Sequence, residues 1–427
     1  MILTYFKQAW QLLRQNKLFS TIYIVGTALA IASTTIFAII YYVKLAPVYP
    51  EYNRQRMSLI KSVQLSDGQG GSSSGAISIA SIRHYLDSLP HADVTSAYLR
   101  MWGGTVNLTD GRQDIKIVLR PTDTAFFKIF DYEFLAGGPF TDIEFESGVK
   151  KAVITDRLAE EVFGSVEAAM GKTITINFRK YDVCGVIREC SAFNRHSYAQ
   201  TIVPYTAVRG YENDTDPDQF MGAYILLLLS DDIEGMRADL REVERKFNSS
   251  REGMTLNFWN QPQSAAIDAL GIWPSETDFD LGKTIRFNIL VLLTLLLVPA
   301  LNLSGMIAGR MDSRSGELGV RKSFGATSGK LLGQVLWENL LLTIIGGIIG
   351  LAITWIALST DAAFVFSIIG EQWSQLNSSS TFRLTPDMMF APAVFVFAFG
   401  VCVVLNLMSA MLPAWLSLRK PIVKSLK

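Results

Sequence analysis

The chain has 427 residues with 39 basic and 39 acidic side chains, so it is formally neutral, and only 18% of residues are charged, below the soluble norm of about 25%. Neutrality argues against a general nucleic-acid binder, and 49% hydrophobic with 11% aromatic residues is too apolar for a disordered chain. Three cysteines are too few for a disulfide scaffold, whereas the length suffices for two or three domains.

Residues 1–17 put Ile2, Tyr5, Phe6, Ala9, Trp10 and Leu13 on one helical face and Lys7, Gln8, Gln11, Arg14 and Gln15 on the other. That pattern predicts an amphipathic helix lying on the inner leaflet, or else a polar start to the first span. Residues 18–43 then run for 26 positions without a charge, and about 20 apolar residues cross a bilayer as a helix. Ala28-Leu29-Ala30 mimics a cleavage site, but the apolar run continues 13 residues beyond it. Signal h-regions are roughly 7–15 residues long, so the expectation is a retained anchor.

Residues 44–283 are long enough to bury a core of their own. Strands are predicted at Met57–Gln64, Val94–Met101, Thr105–Leu108, Ile115–Leu119, Ala152–Thr155, Thr173–Phe178, Asp182–Ile187 and Ala223–Leu229. Helices are predicted over Ile79–Leu89 (stopped by Pro90), Thr124–Phe130, Asp156–Phe163 and Ile233–Phe247. Ser66–Gly75 reads as a flexible loop and Asp110-Gly111 as a turn. The irregular alternation indicates an α+β domain.

Three more apolar runs follow. Residues 285–309 carry only Arg286, residues 331–358 only Glu338, and residues 390–418 no charge. The segments 310–330, 359–389 and 419–427 lie between or beyond them. The predicted fold is therefore an α+β membrane protein with four transmembrane helices and one large extracytoplasmic α+β domain between spans one and two. Residues 44–283 hold 25 basic and 33 acidic side chains, leaving 14 basic and 6 acidic elsewhere. Most of those basic residues flank the spans on one side: Lys7, Arg14 and Lys17, then Arg310 to Lys330, then Arg419 to Lys427. The positive-inside rule places both termini and 310–330 in the cytoplasm, with 44–283 and 359–389 outside. Tyr41, Tyr42, Tyr49 and Trp415 sit where interfacial aromatics are expected.

Catalytic constellations are missing from the pattern. His84 and His91 stand seven apart without a Glu or Cys to complete zinc-like spacing, and read as surface residues. Cys184 and Cys190 fall in or just after one strand, which does not bring them together, and Cys402 reads as packing inside span four. Gly325-Ala326-Thr327-Ser328-Gly329-Lys330 mimics a phosphate loop but has three residues between its glycines and Leu331 after the lysine; the motif needs four and a Ser or Thr. The segment Glu317 to Thr327 mixes charges with Leu318, Val320 and Phe324, punctuated by Gly319 and Gly325. It reads either as a short helix docking on a cytoplasmic partner or as a solvated basic loop.

The run Glu317-Leu318-Gly319-Val320-Arg321-Lys322-Ser323-Phe324-Gly325-Ala326-Thr327 stands upstream of Trp337-Glu338-Asn339-Leu340-Leu341 and Ile345-Gly346-Gly347-Ile348-Ile349-Gly350. Together they resemble the signature of FtsX-like permeases, the membrane subunits of MacB-type ABC transporters. Arg14 to Thr21 with Gly26 resembles the start of their first span. Phe126-Phe127-Lys128-Ile129-Phe130, Gly137-Gly138, Val153-Ile154-Thr155, Leu158-Ala159, Phe163-Gly164, Gly171-Lys172 and Val183 to Val186 resemble their periplasmic core domain. Two departures are Cys184, where an aliphatic residue is usual, and Val423-Lys424, where Glu-Ala is common. The resemblance implies a bacterial inner-membrane permease, paired with itself or with a homologue, that works with a dimer of ABC ATPases. ATP is then bound by that separate partner and the chain carries no cofactor. A periplasmic adaptor and an outer-membrane channel are further candidate partners. Glu317, Leu318, Gly319, Val320, Arg321, Lys322, Phe324 and Gly325 become the ATPase-coupling residues, and Glu338 the intramembrane polar residue. Export of a small molecule, peptide or lipid-linked substrate is the leading expectation. The alternative is mechanotransmission or antimicrobial-peptide sensing without bulk transport. A membrane-anchored enzyme has no support from the residues. Glu338 is expected either to pair with the coupling segment, to bond a neighbouring span, or to snorkel into the headgroups.

Overall fold

The computed structural model describes residues 17–418 apart from 101, 109–112, 272, 273, 275–280, 314, 368–383, 385–387 and 389–391. The predicted N-terminal amphipathic helix, the Asp110-Gly111 turn and the 419–427 tail lie outside them. Two compact units are present: Met1–Tyr42, Asp280–Phe366 and Met388–Lys427 make a helical unit, and Val43–Phe279 with Ser367–Asp387 a sheet unit. Helix α1 (Lys17–Leu45) is the first element among the described residues and is uninterrupted for 29 residues, with neither proline nor charge after Lys17 until Lys44.

The sheet unit is built around Tyr224–Leu229, a strand with every residue buried. It pairs antiparallel with Met57–Ile60 on one side and Val94–Leu99 on the other. A strand buried on both faces reads as a continuous apolar run, which is why YILLLL shows no alternation. The sheet continues through Ile115–Thr122, Trp102–Val106, Thr173–Ile176, Arg179–Ile187, Lys151–Thr155 and Thr201–Pro204. Lys151–Thr155 runs parallel to Arg179–Ile187, so a crossover is needed, and helix α2 (Asp156–Phe163) begins it. Thr155 caps α2 by accepting from Leu158 N, and Gly164 ends it at φ 89°, the left-handed region glycine enters freely. Helix α3 (Ile233–Ser250) packs Met236, Leu240 and Phe247 inward, the i, i+4, i+11 stripe of an amphipathic helix. A short helix α4 (Ala265–Ala269), capped by Ser264, precedes the return to the helical unit.

Two expectations are corrected here. The 57–64 strand is two strands, Met57–Ile60 and Val63–Ser66. Between them the Lys61 and Ser62 amides donate to Gln261 Oε1 (2.8 and 3.4 Å) instead of to a ladder. The Ser66–Gly75 loop closes after Gly71, because Ser72–Ile77 is a strand paired with Val63–Ser66. Serines supply ladder groups from the main chain whatever their side chains prefer, and here those side chains face solvent. One hairpin tip departs from turn preferences. Asn177 and Phe178 sit at φ 49° and 62° between Thr173–Ile176 and Arg179–Ile187, and the Phe178 ring is 87% exposed.

The helical unit holds α5 (Leu281–Ser313), α6 (Ser315–Ser323), α7 (Ser328–Ser367) and α8 (Pro392–Leu418). Among the described residues three helices are long and apolar enough to cross a membrane: Ser20–Leu45, Ser328–Ala362 and Pro392–Leu416. The predicted span 285–309 lies within α5. The predicted outer loop 359–389 starts inside α7, which continues past a break at Asp361 (φ −151°, ψ 78°) to Ser367. There Asp361 Oδ1 accepts from Phe364 N at 2.9 Å and restarts the helix. Tyr23, Ile307, Met311, Leu331, Val335, Leu342, Ala410 and Ala414 form one core shared by α1, α5, α7 and α8. Along the α1–α7 seam a Cβ on Gly350 would lie 2.6 Å from the Ala28 carbonyl oxygen, and one on Gly346 2.9 Å from Thr27 Cβ. Small residues four apart let two helix backbones approach closely in lipid, and Thr354 Oγ1 extends the seam by donating to the Ala32 carbonyl at 3.4 Å.

Candidate coupling site

The segment 315–327 folds as a helix and a tight turn. Ala326 N donates to the Arg321 carbonyl and Gly325 N to the Lys322 carbonyl, both at 3.0 Å. This is the Schellman pairing that ends a helix, and it needs a left-handed residue at Gly325, whose φ is 88°. Thr327 then starts α7, its Oγ1 accepting from Lys330 N at 3.4 Å. The phosphate-loop look-alike is therefore a helix–turn–helix corner. Phe324 is 89% exposed and Val320 45%, so α6 presents apolar surface beside Arg321 and Lys322. Leu318 and Gly319 lie on α6, with side chains outside the described residues.

From α6 a line of polar side chains runs into the bundle. Arg321 donates from Nη2 to Glu317 Oε1 (2.6 Å) and from Nη1 to Gln334 Oε1 (2.9 Å). Gln334 Nε2 donates to Glu338 Oε1 at 3.1 Å. Glu338 is 4% exposed, so its neighbours are protein groups rather than headgroups. Its link to α6 runs through Gln334, one helical turn earlier on the same face of α7. A separate polar group lies further along α7, where Thr343 Oγ1 donates to the Asn339 carbonyl (2.9 Å) and meets Tyr23 OH of α1 (3.3 Å) and Asn406 Nδ2 of α8 (3.5 Å). Measured interhelical hydrogen bonds in membranes average about 0.6 kcal/mol each, so the line contributes more to fixed geometry than to stability. An uncharged amide near a helix start is common, so the signal the sequence carries for Gln334 is its spacing of four from Glu338.

A second polar cluster lies in the sheet unit and had no counterpart in the sequence reading. Arg54, 6% exposed, donates from Nη1 to the carbonyls of Val43 (2.7 Å) and Ala46 (2.9 Å) at the end of α1, and from Nη2 to Asn194 Oδ1 (3.1 Å). Its Nε bonds Glu51 Oε2 at 2.9 Å. The other Glu51 oxygen accepts from Ser197 Oγ at 2.8 Å. Next to it, His196 lies between Tyr98 OH (2.7 Å) and Asp268 Oδ2 (2.8 Å), and Lys61 Nζ is 2.5 Å from Asp268 Oδ1. Burial alone would raise both acids. Arg54, His196 and Ser197 outweigh it for Glu51, and His196 with Lys61 for Asp268, holding both below the usual carboxylate range. His84, by contrast, is exposed and edges the Tyr85 ring, and exposed His91 meets Asp239 at 2.9 Å. Cys184, Cys190 and Cys402 are free thiols; burial pushes Cys184 up to about 11 and Cys190 higher still, and Cys402 packs beside Ile31.

Comparison with known proteins identifies the family. A family model described as MacB-like periplasmic core domain matches residues 20–243, and one described as FtsX-like permease C-terminal matches residues 289–422. The chain is 24% identical over 243 residues to YknZ of Bacillus subtilis, an uncharacterized ABC transporter permease, covering 57% of this chain and 56% of that one. It is 24% identical over 271 residues to PvdT of Pseudomonas savastanoi, a pyoverdine export ATP-binding/permease protein, covering 62% of this chain and 38% of that one. The chain thus spans about half or less of the length of the curated relatives it matches. The solved extracellular domain of YknZ aligns with a TM-score of 0.33 at 16% identity, covering 46% of this chain and 100% of that domain. With one family model covering the first half and the other the permease region, the chain belongs to the FtsX/MacB-type ABC transporter permeases, multi-pass bacterial membrane proteins with a MacB-like periplasmic core domain.

Proposed function

We propose that this chain is the permease subunit through which a separate ABC ATPase dimer drives movements of the sheet unit outside the membrane, in the export of a small molecule, peptide or lipid-linked substrate. The observation that carries the reading is the hydrogen-bonded run from α6 through Arg321 and Gln334 to the buried Glu338 inside α7. In this reading α6 is the docking helix: Phe324 and Val320 supply apolar contact, and Arg321 and Lys322 positive charge. Both termini and α6 face the cytoplasm, α5 is the second of four spans, and ATP is bound by the partner subunits alone. Two permease chains face two ATPases, and export is the activity named for the pyoverdine and macrolide relatives.

The test is co-purification of the ATPase from native membranes. Phe324→Ala removes an apolar anchor of the kind that costs about 2 kcal/mol or more when truncated, and should lower ATPase recovery roughly thirtyfold. Replacing Arg321 and Lys322 with Glu should do the same by charge reversal, without impairing insertion. Unchanged recovery in both variants would count against α6 as the docking element.

A further inference from the structure

The last four carbonyls of a helix have no partner within it. At the outer end of α1 the carbonyls of Val43, in its last turn, and of Ala46, just past it, accept from one guanidinium, that of Arg54. Burying a guanidinium is unfavourable unless its donors are engaged, and here they are: two on carbonyls, one on Asn194 and the rest on Glu51. What holds Arg54 is the buried loop 191–200. Asn194 bonds Arg54 and also donates to the Tyr49 carbonyl at 2.6 Å. Ser197 holds Glu51 through both its amide (3.3 Å) and its hydroxyl (2.8 Å).

The same loop reaches the other connection. His196, between those two residues, bonds Asp268 on α4, the last described helix before the chain returns to α5. Lys61 clamps the second Asp268 oxygen from the strand side. Arg120, reaching from Ile115–Thr122, fixes the loop by donating to the Arg195 (3.2 Å) and Tyr198 (3.0 Å) carbonyls. Neighbouring residues of one loop therefore hold both ends of the 43–279 segment of the sheet unit.

We propose that Asn194, His196 and Ser197 are positioning residues, which clamp the end of α1 and the α4 segment onto a single loop so that displacement of either connection is passed to the other and into the sheet. This rests on the permease reading for its purpose, in which a stroke delivered to the spans is passed into the 43–279 segment through its two ends. Hydrogen bonds to charged, desolvated partners suit that role because a fully satisfied buried network is rigid.

Hydrogen exchange of the full-length protein in lipid nanodiscs, purified with whatever ATPase accompanies it, tests the inference. Asn194→Ala deletes the bonds on the α1 side, and should raise exchange about tenfold both at 43–54 and at the remote 263–271 segment. Asp268→Asn loosens the α4 side and should raise exchange at 43–54 in turn. A rise confined to the mutated side in both variants would overturn the junction. If Asn194→Ala does not fold, Ser197→Ala, which removes one hydroxyl, is read by the same criterion. In the wild-type complex ATP with vanadate should alter exchange in the sheet unit, and Asn194→Ala should abolish that response while ATP hydrolysis persists; a retained response would also overturn it. An absence of any co-purified ATPase would sink the permease reading, yet leave the exchange comparison free to decide the junction.

Discussion

Glu338 occupies a position where a carboxylate costs at least about 2.5 kcal/mol at the bilayer centre and less toward the interface. Gln334 is its bridge to Arg321. Glu338→Gln keeps the shape and removes the charge. The variant should express and retain its ATPase but lose substrate-stimulated ATP hydrolysis. Gln334→Leu, which cuts the same line one turn earlier, should give the same phenotype. Wild-type stimulation in both variants would mean that the line carries nothing. A charge in an apolar run announces itself, so Glu338 was legible in the sequence. Gln334, Arg54 and His196 were not, because each owes its role to a partner brought close by the fold: His196 meets Tyr98 across 98 positions and Asp268 across 72.

Elements make different predictions. In the α1–α7 seam Gly350 faces the Ala28 backbone, whereas Gly333 on the same helix has nothing within 4 Å of an added Cβ. Gly350→Ala should therefore lower stability by about 1–3 kcal/mol through overpacking. Gly333→Ala should raise it by up to ~1 kcal/mol, since alanine is the better helix former. Thermal unfolding in detergent distinguishes the two. The short aromatic helix Phe126–Ile129 carries a pH signature. Asp123 accepts from Ser96 Oγ (2.7 Å), Ala97 N (2.7 Å) and Phe126 N (3.1 Å), yet burial pushes its carboxyl up to about 6. The folded state thus holds the proton more tightly than the unfolded chain. Its contribution is fully present below about pH 4 and is lost as pH rises to about 6, a change on the order of 3 kcal/mol. Urea unfolding followed by circular dichroism should show that slope in wild type relative to Asp123→Ala, which lacks the titrating group. The long apolar helices and the buried Tyr224–Leu229 strand were plain from composition. Ser72–Ile77 was hidden because its serines carry no β signal and its order comes from the neighbouring Val63–Ser66 ladder.

For the whole molecule the charge asymmetry predicts an orientation that labelling can check. A cysteine at Ser73, on an exposed stretch of strand, should react with an impermeant maleimide in intact spheroplasts, and one at Ser315 should not. Cys184, the half-buried native thiol, is first replaced by serine to remove background. The opposite pattern would reverse the assignment of inside and outside.

The unbroken length of α1 has a mechanical consequence. At 1.5 Å per residue, its 29 residues make a rod of about 43 Å. Such a rod does not bend easily where no proline, glycine pair or bulge interrupts it. Pivoted near its inner end, it would swing its outer end through roughly 7 Å for a tilt of only about 10°. Under the proposed function, leverage of that kind would turn an ångström-scale push at one end into a displacement several times larger at the other.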